Sequence, residues 1–445
     1  MRIMLDIPLS LHSAIEVMTG AVPYYADATL YAVCTDSREC EDGDLFFSLA
    51  RNRDERIKHA NNAVRRGAYA VCDSGDFIEV ENTELALLRL AAYYKSKLHR
   101  LIKTVGITGS VGKSTVTRYT AEMLSLSYIV ASTIGNFNNR IGISLSILSA
   151  RADTEVLVLE MGMNHAGEIA QMSSVIRPEI CVITCIGSAH IGNLGSREAI
   201  RDAKCEIITD DTEAVICPFD EPLLKTVPHG LTFSLENADA DAVLTESAGI
   251  FTLKTLDMEI DGIELAVIGK HNRYNSLIAA VVCILLGFSG DGVRQAVGRL
   301  GNGVSHGRIF TVGGIAVIDD TYNSSPEAAY AMLDLLKDFP SPHIAVLGDM
   351  LELGDAAGDL HRELGRRAAS VDRLYAIGEY STAIFQGAID GGMSADAVSV
   401  MRDMDVSVLT EILLRQTVCG TVFIKGSHAT GLSLLAKSIR ERIEG

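Results

Sequence analysis

Residues 105–115 read Val-Gly-Ile-Thr-Gly-Ser-Val-Gly-Lys-Ser-Thr, and they stand between an apolar run, Leu101 to Thr108, and a helical pattern from Val116 to Leu124. A strand that turns through a few small residues into a helix confines the chain to folds in which helices cover a largely parallel sheet. Small residues let backbone N–H groups cradle phosphate oxygens at the helix N-terminus, Lys113 adds a positive point charge, and Ser114 offers a hydroxyl to Mg²⁺. The strict form of the pattern wants Gly where Ile107 stands, with glycines here at 106, 109 and 112. The plain alternative is an ordinary Gly-rich turn, but Gly-Lys-Ser-Thr at this junction favours a nucleotide. Thr108, Gly109, Ser110, Val111, Gly112, Lys113, Ser114 and Thr115 are therefore the expected phosphate-binding segment. The loop points to a triphosphate without saying what is done with it.

The same alternation recurs along the chain. Apolar runs Glu155 to Glu160 and Ile180 to Ile186 are each followed by a helical segment. Short strand candidates fill Ala214 to Ile268, a helix starts near His271, and after Gly307 a second series begins with Ile309 to Asp320, His343 to Asp349, Arg373 to Ile377 and Thr421 to Lys425. Apolar runs alternating with helices predict parallel sheets covered on both faces. Ahead of them, a strand-like run from Asp44 to Ala50 and helical stretches near Arg56 to Arg66 and Thr83 to Leu98 form a small α/β module. The expected division is 1–98, 99–307 and 308–445, which agrees with a 445-residue chain at roughly 100–200 residues per domain.

Composition narrows the partners. Lys+Arg is 39 against Asp+Glu 57, a net charge of −18, and so acidic a surface repels nucleic-acid backbones and anionic lipid. Nine cysteines, at 34, 40, 72, 181, 185, 205, 217, 283 and 419, include no C-x-x-C pair and predict reduced thiols in a cytoplasmic protein. The first residues lack a basic segment and carry Asp6, and the longest later apolar run, Ile278 to Phe288, is far short of the roughly 20 residues a bilayer needs. Neither nucleic acid nor membrane insertion is expected, and a monomer is.

Five further stretches carry a resemblance: GNFNNRIG (135–142), LEMGMNHAGEI (159–169), IGSAHIGNLGSREAIRDAKCEI (186–207), GKHNRYN (269–275) and IDDTYNSSPEA (318–328). In this order, with the phosphate loop, the chain resembles the Mur ligases, ATP-dependent amide-forming enzymes of peptidoglycan assembly. TDSR and GDLFFSL near the start, VLGDMLELG at 346–354 and Lys425-Gly426-Ser427 near the end resemble the branch that adds D-alanyl-D-alanine to UDP-N-acetylmuramoyl-tripeptide. The resemblance covers essentially the whole chain. It implies an α/β fold of three domains: a small N-terminal domain for the UDP-sugar, a central P-loop ATPase domain with a parallel-rich sheet, and a C-terminal Rossmann-like domain.

The resemblance also implies roles. Lys113, Lys204, His190 and Arg308 are the expected catalytic set; Ser114, Glu160, His190 and Lys204 are the expected metal set. A lysine among metal ligands would repel them, and carbamylation of Lys204, known in many Mur ligases, makes it an anionic oxygen donor. Asn272 and Asn275 are expected at the adenine, Arg308 at the γ-phosphate and Asp320 at the ribose. Thr35, Asp36, Ser37 and Arg38 are expected at the UDP-sugar, and Asn138, Asn139, Tyr322, Asn323 and Lys425 at the rest of the substrate. Glycines 301, 303 and 307 are the expected hinge that brings in the third domain. Bland readings stand beside these: Glu160 as a helix cap, His190 as a surface residue, Lys204 paired with Asp202 or Glu206, Asn272 as an N-cap, and residues 319–326 as turn formers.

The sequence departs from the family pattern where Arg53-Asp54-Glu55-Arg56 replaces Arg-x-Asp-Gly-His, Ser324-Ser325-Pro326 replaces Ala-Asn-Pro and His428 replaces the usual Arg. Rival functions are a folylpolyglutamate-type ligase, a Mur ligase adding a single amino acid, and a nucleotide-binding regulator without ligation. The N-terminal TDSR region argues against the folate enzyme, and retention of Glu160, His190 and Lys204 argues against a bare switch.

Overall fold

The computed structural model describes residues 1–445 except 24, 25, 266, 268, 301–307, 322, 323, 417, 418 and 445. Three sheets organise it. The first has five strands in chain order, Arg2–Ser10, Thr29–Cys34, Leu45–Phe47, Tyr69–Cys72 and Ile78–Glu79, antiparallel only in the first pair. Side chains alternate across it as strand geometry requires. Val33, Leu45, Phe47 and Val71 face helices Leu11–Thr19 and Thr83–Lys95, whereas Cys34, Phe46, Ala70 and Cys72 face helix Arg53–Arg65.

The second sheet has nine strands, in the order Glu259–Ile263, Ile250–Thr255, Ala242–Ser247, Gly230–Ser234, Ala214–Pro218, Ile180–Ile183, Lys103–Thr108, Val156–Glu160, Val130–Ser132. Ala242–Ser247 pairs antiparallel with Ile250–Thr255, which pairs antiparallel with Glu259–Ile263; all other pairs are parallel. Its middle strands are buried on both faces, which is why they read as unbroken apolar runs: Val156 and Val158 enter one core, Leu157 and Leu159 the other. The chain passes from Val156–Glu160 on one side of Lys103–Thr108 to Ile180–Ile183 on the other. That reversal opens a crevice at the C-terminal ends of the strands, where doubly wound folds bind ligands.

The third sheet runs Arg308–Val312, Ile315–Asp320, Gly420–Lys425, His343–Leu347, Arg373–Ile377, Val398–Met401, antiparallel only in the first pair. Two features depart from the sequence expectation. The apolar run Ile309 to Asp320 is a hairpin, because Gly313 and Gly314 take positive φ of 56° and 88° and form a two-residue turn between Val312 and Ile315. A fifth parallel-series strand, Val398–Met401, follows a short 3₁₀ turn at Ala395–Ala397 and has only four residues, too few to show a period. The phosphate-loop helix also begins earlier than the pattern suggested, at Lys113. The expected hinge glycines lie outside the described residues.

The first two sheets share one apolar core, in which Leu87, Leu90 and Ala91 of helix Thr83–Lys95 join Ile143 and Ile147 of helix Arg140–Leu148. Tyr94, fully buried there, donates its hydroxyl to the Ala150 carbonyl at 2.9 Å and accepts the Ile7 N–H at 3.2 Å. Tyr94→Phe leaves the buried Ala150 carbonyl and the half-buried Ile7 N–H without this partner and is expected to cost about 1–3 kcal/mol, measured by urea denaturation; an unchanged midpoint would contradict this account of the joint.

Candidate active site

At the crevice, strand Lys103–Thr108 runs into the phosphate loop and then into helix Lys113–Leu124. Gly109 sits at φ +145°, and a Cβ there would fall 1.8 Å from Thr184 Oγ1; Gly112, at φ +86°, caps the helix with its backbone. Glycine is required at both positions by conformation and by contact. The loop is tied to the next strand end: Ser110 N–H donates to the Cys185 carbonyl at 3.0 Å, and Gly187 N–H donates to Ser110 Oγ at 2.8 Å. Lys113 Nζ donates to the Gly109 carbonyl at 3.0 Å, a contact that leaves its charge without a carboxylate partner among the described residues.

Two charged side chains are buried beside this loop. Glu160, at the end of its strand and 1% exposed, takes the Asn138 amide on Oε1 at 2.8 Å, while Oε2 is buried without a hydrogen bond among the described residues. Lys204 is 2% exposed in helix Arg197–Cys205, and no hydrogen bond or ion pair reaches its ammonium among the described residues. The bland pairing with Asp202 or Glu206 does not occur: Asp202 pairs with Arg201, and Glu206 accepts the N–H groups of Gly167 and Ala170. Burial, with the nearby Lys113 charge, pushes the Lys204 pKa down to about 7.

The other wall belongs to the third sheet. Glu327, near the start of helix Pro326–Leu335, accepts the Ser188 N–H and hydroxyl on Oε1 at 2.7 and 2.8 Å, and its Oε2 is buried without a partner among the described residues. His190 Nδ1 lies 2.5 Å from Glu352 Oε2, and the His190 ring holds the Glu352 carboxyl below its ordinary range. Between the two walls is a cavity of about 950 Å³ lined by residues 110–115, Asn138, Glu160, His190, Lys204, His271, Asp320, Glu352 and Lys425 among others. Burial lowers the His271 pKa, with Asp320 opposing.

The structure thus brings Ser110, Val111, Gly112, Lys113, Ser114, Thr115, Asn138, Asn139, Glu160, His190, Lys204, Asn272, Asn275, Asp320 and Lys425 around one cleft. Some of them are already engaged. Asp320 and Lys425, expected at the ribose and at the substrate, stand opposite each other in parallel register and form a buried ion pair at 2.6 Å. Asn139 caps helix Arg140–Leu148 by accepting the Gly142 N–H at 2.9 Å, and Asn275 packs against Gly112. Among the described residues no three His, Cys, Asp or Glu side chains converge as a ready metal cluster; the expected metal set holds only two side chains of these types, Glu160 and His190, and both line the cleft.

Thr35, Asp36, Ser37 and Arg38 do not line the cleft. They follow strand Thr29–Cys34, where Thr35 bonds the Met1 carbonyl, Ser37 is buried, and Arg38 pairs with Asp36 at 2.6 Å and holds its carboxyl far below the usual range. Arg308 opens strand Arg308–Val312 opposite Asp319; its side chain, like Tyr322 and Asn323, lies outside the described residues. Sequence reasoning missed Glu327 and Glu352. Both sit inside quoted motifs, but on a helix start and a loop, where no period marks a functional side chain.

Comparison with known proteins agrees with this geometry. The family descriptions "Mur ligase middle domain" and "Mur ligase, glutamate ligase domain" match residues 107–283 and 307–428. A UDP-N-acetylmuramoyl-tripeptide–D-alanyl-D-alanine ligase of Bacillus subtilis is 33% identical over 393 residues, covering 83% of this chain and 85% of that protein. The crystal structure of MurF from Acinetobacter baumannii superposes with a TM-score of 0.86 at 25% identity, covering 99% of this chain and 100% of that one. MurF ligase from Thermotoga maritima, solved in complex with ADP, gives 0.81 at 27% identity, covering 93% and 97%.

The buried lysine makes stability depend on pH. The unfolded chain holds the Lys204 proton up to about pH 10.5 and the folded chain only up to about 7, so between these values the unfolded state binds more protons and the folded state gains as pH rises. Relative to Lys204→Met, the wild-type chain should gain up to about 1.4 kcal/mol per pH unit across that window, followed by urea denaturation in CO₂-free buffer. A pH-independent difference would mean that the ammonium is solvated.

Proposed function

Because the chain belongs to the Mur ligase family, we propose that it is the ATP-dependent, ADP-forming ligase that joins UDP-N-acetylmuramoyl-tripeptide to D-alanyl-D-alanine in peptidoglycan precursor synthesis. The observation that carries this reading is the cleft itself, in which a phosphate loop, a buried carboxylate with a free oxygen and a buried unpaired lysine meet between two domains. The tripeptide carboxylate attacks the γ-phosphorus of ATP, giving an acyl phosphate and ADP. The dipeptide amine then attacks the acyl carbon, and phosphate and a proton leave.

Each residue has a task in that sequence. The loop N–H groups and Lys113 hold the β- and γ-phosphates where negative charge accumulates. Glu160 and Ser114 fit Mg²⁺, since the unpartnered Glu160 Oε2 is the oxygen that a hard cation shared with phosphates would satisfy. When bound, Mg²⁺ neutralises charge on the transferring phosphoryl group. A Lys204 pKa near 7 leaves much of the amine neutral at physiological pH, the form that adds CO₂, and a carbamate there would lie within the expected metal set with His190. Asn272 and Asn275 serve the adenine side, and Asp320, held by its pair with Lys425, the ribose. Residues 1–98, with Thr35 to Arg38, take the UDP-sugar; 99–307 hold ATP; 308–445 bring Arg308 to the γ-phosphate, with Tyr322, Asn323 and Lys425 toward the substrate peptide. No described helix is long and apolar enough to cross a membrane. The proposed activity implies a cytoplasmic enzyme, where its nucleotide substrates are, and it is taken to act as a monomer.

The reading requires ADP release that depends on both UDP-muramoyl-tripeptide and D-alanyl-D-alanine. ADP release with either substrate omitted would reject it, and release with a single amino acid in place of the dipeptide would favour the neighbouring Mur activity. Lys113→Ala should abolish turnover, a loss of several kcal/mol in transition-state stabilisation; near-normal turnover would sever this loop from ATP.

Lys204→Ala should be nearly inactive and partly restored by a small added carboxylic acid that replaces the carbamate oxygens. Retention of most activity without any addition would make Lys204 structural only.

A further inference from the structure

We propose that Glu352 is a positioning residue, supplied by the C-terminal domain, that fixes the ring of His190 in the central domain with Nε2 left as the acceptor facing the cleft; this rests on the assignment of His190 to the metal set.

An ionised carboxylate only accepts hydrogen bonds, so at 2.5 Å from Glu352 Oε2 the proton of the neutral ring is on Nδ1 and the lone pair is on Nε2. Metal-binding imidazoles are oriented in this way by a carboxylate on the other nitrogen. The backbone is shaped around the contact. His190 and Glu352 both hold left-handed φ, 65° and 64°, which side-chain-bearing residues avoid. Gly192 N–H donates to the Glu352 carbonyl at 3.1 Å. The two glycines beyond them meet so closely that a Cβ on Gly192 would lie 2.6 Å from Gly354 N, and one on Gly354 would lie 2.8 Å from Gly192 Cα. Upstream, Glu327 grips Ser188 through two further bonds.

The loop that carries His190 is therefore held from the C-terminal domain at residues 188, 190 and 192. A pair as open as this one, with side chains 20% and 47% exposed, contributes little to stability. Two strained backbones and a glycine-to-glycine contact are too specific an arrangement for a surface ion pair. Orientation is the role left for it: the histidine is set only when the C-terminal domain is docked, so site assembly and domain docking become one event.

The test uses Mn²⁺ in place of Mg²⁺ with full-length enzyme, a non-hydrolysable ATP analogue and UDP-muramoyl-tripeptide. Mn²⁺ affinity and the imidazole-nitrogen coupling are read by electron paramagnetic resonance without turnover. Glu352→Ala should weaken Mn²⁺ about 10–100-fold and remove the coupling, with an unchanged thermal midpoint. Glu352→Gln, whose amide oxygen accepts the same bond, should stay within about threefold of wild type, on the scale of one hydrogen bond retained. Should the alanine variant fail to fold, Glu352→Asp, one methylene short of the ring, should show the loss in its place. Wild-type affinity and coupling in Glu352→Ala or Glu352→Asp, or a Gln variant as weak as Ala, overturns the proposal. His190→Ala separates the two levels: if it leaves affinity and coupling intact, the metal role of His190 itself fails. If it weakens both while Glu352→Ala does not, only the positioning role fails.

Discussion

Charge held away from water without a counter-charge is the condition on which this site depends. Lys204 and the free oxygen of Glu160 are buried at the C-terminal edge of the central sheet, and among the described residues Lys113 bonds only a neutral carbonyl. Such groups are costly in a low-dielectric wall unless a ligand completes them. The fold sustains them because the sheet beneath is apolar on both faces, with strands such as Val156–Glu160 buried along their whole length. Gly109 lets the loop approach Thr184 more closely than any side chain would allow, so the polar groups are fixed by backbone contact.

The domains are joined in two different ways, and the difference bears on mechanism. The N-terminal and central sheets share a continuous apolar core, closed by Tyr94 between the Ile7 N–H and the Ala150 carbonyl. The C-terminal sheet keeps its own two cores, one on each face, and at the cleft it meets the central domain through carboxylates, a loop histidine and two glycines. Polar interdomain contacts of this kind exchange with water at low cost, whereas a shared core does not. The third domain is therefore the one whose contacts with its neighbours can be exchanged for water. From that side, the carboxylates of Glu327 and Glu352 hold residues 188 and 190 of the central domain.

The chain by itself marked the sheet-forming runs and the phosphate loop with Lys113, because burial on both faces and the needs of phosphate binding leave local marks in composition and spacing; Glu160, His190 and Lys204 were singled out only by the family resemblance, since a strand-end carboxylate, a loop histidine and a helix lysine carry no such mark. The hairpin turn at Gly313-Gly314 is not among these, since the run Ile309 to Asp320 reads as one strand and only the backbone shows the turn. Only the tertiary structure decided which side chains complete one another. Lys425 meets Asp320 across 105 residues, Glu327 meets Ser188 across 139, and Glu352 meets His190 across 162. No local period encodes such pairs, since strand order, parallel register and the docking of one sheet edge against another bring them together. That Lys204 has no partner among the described residues is equally invisible in sequence, where Asp202 and Glu206 are its nearest acids; the helix turns both toward other partners and leaves the lysine in the wall of the cleft.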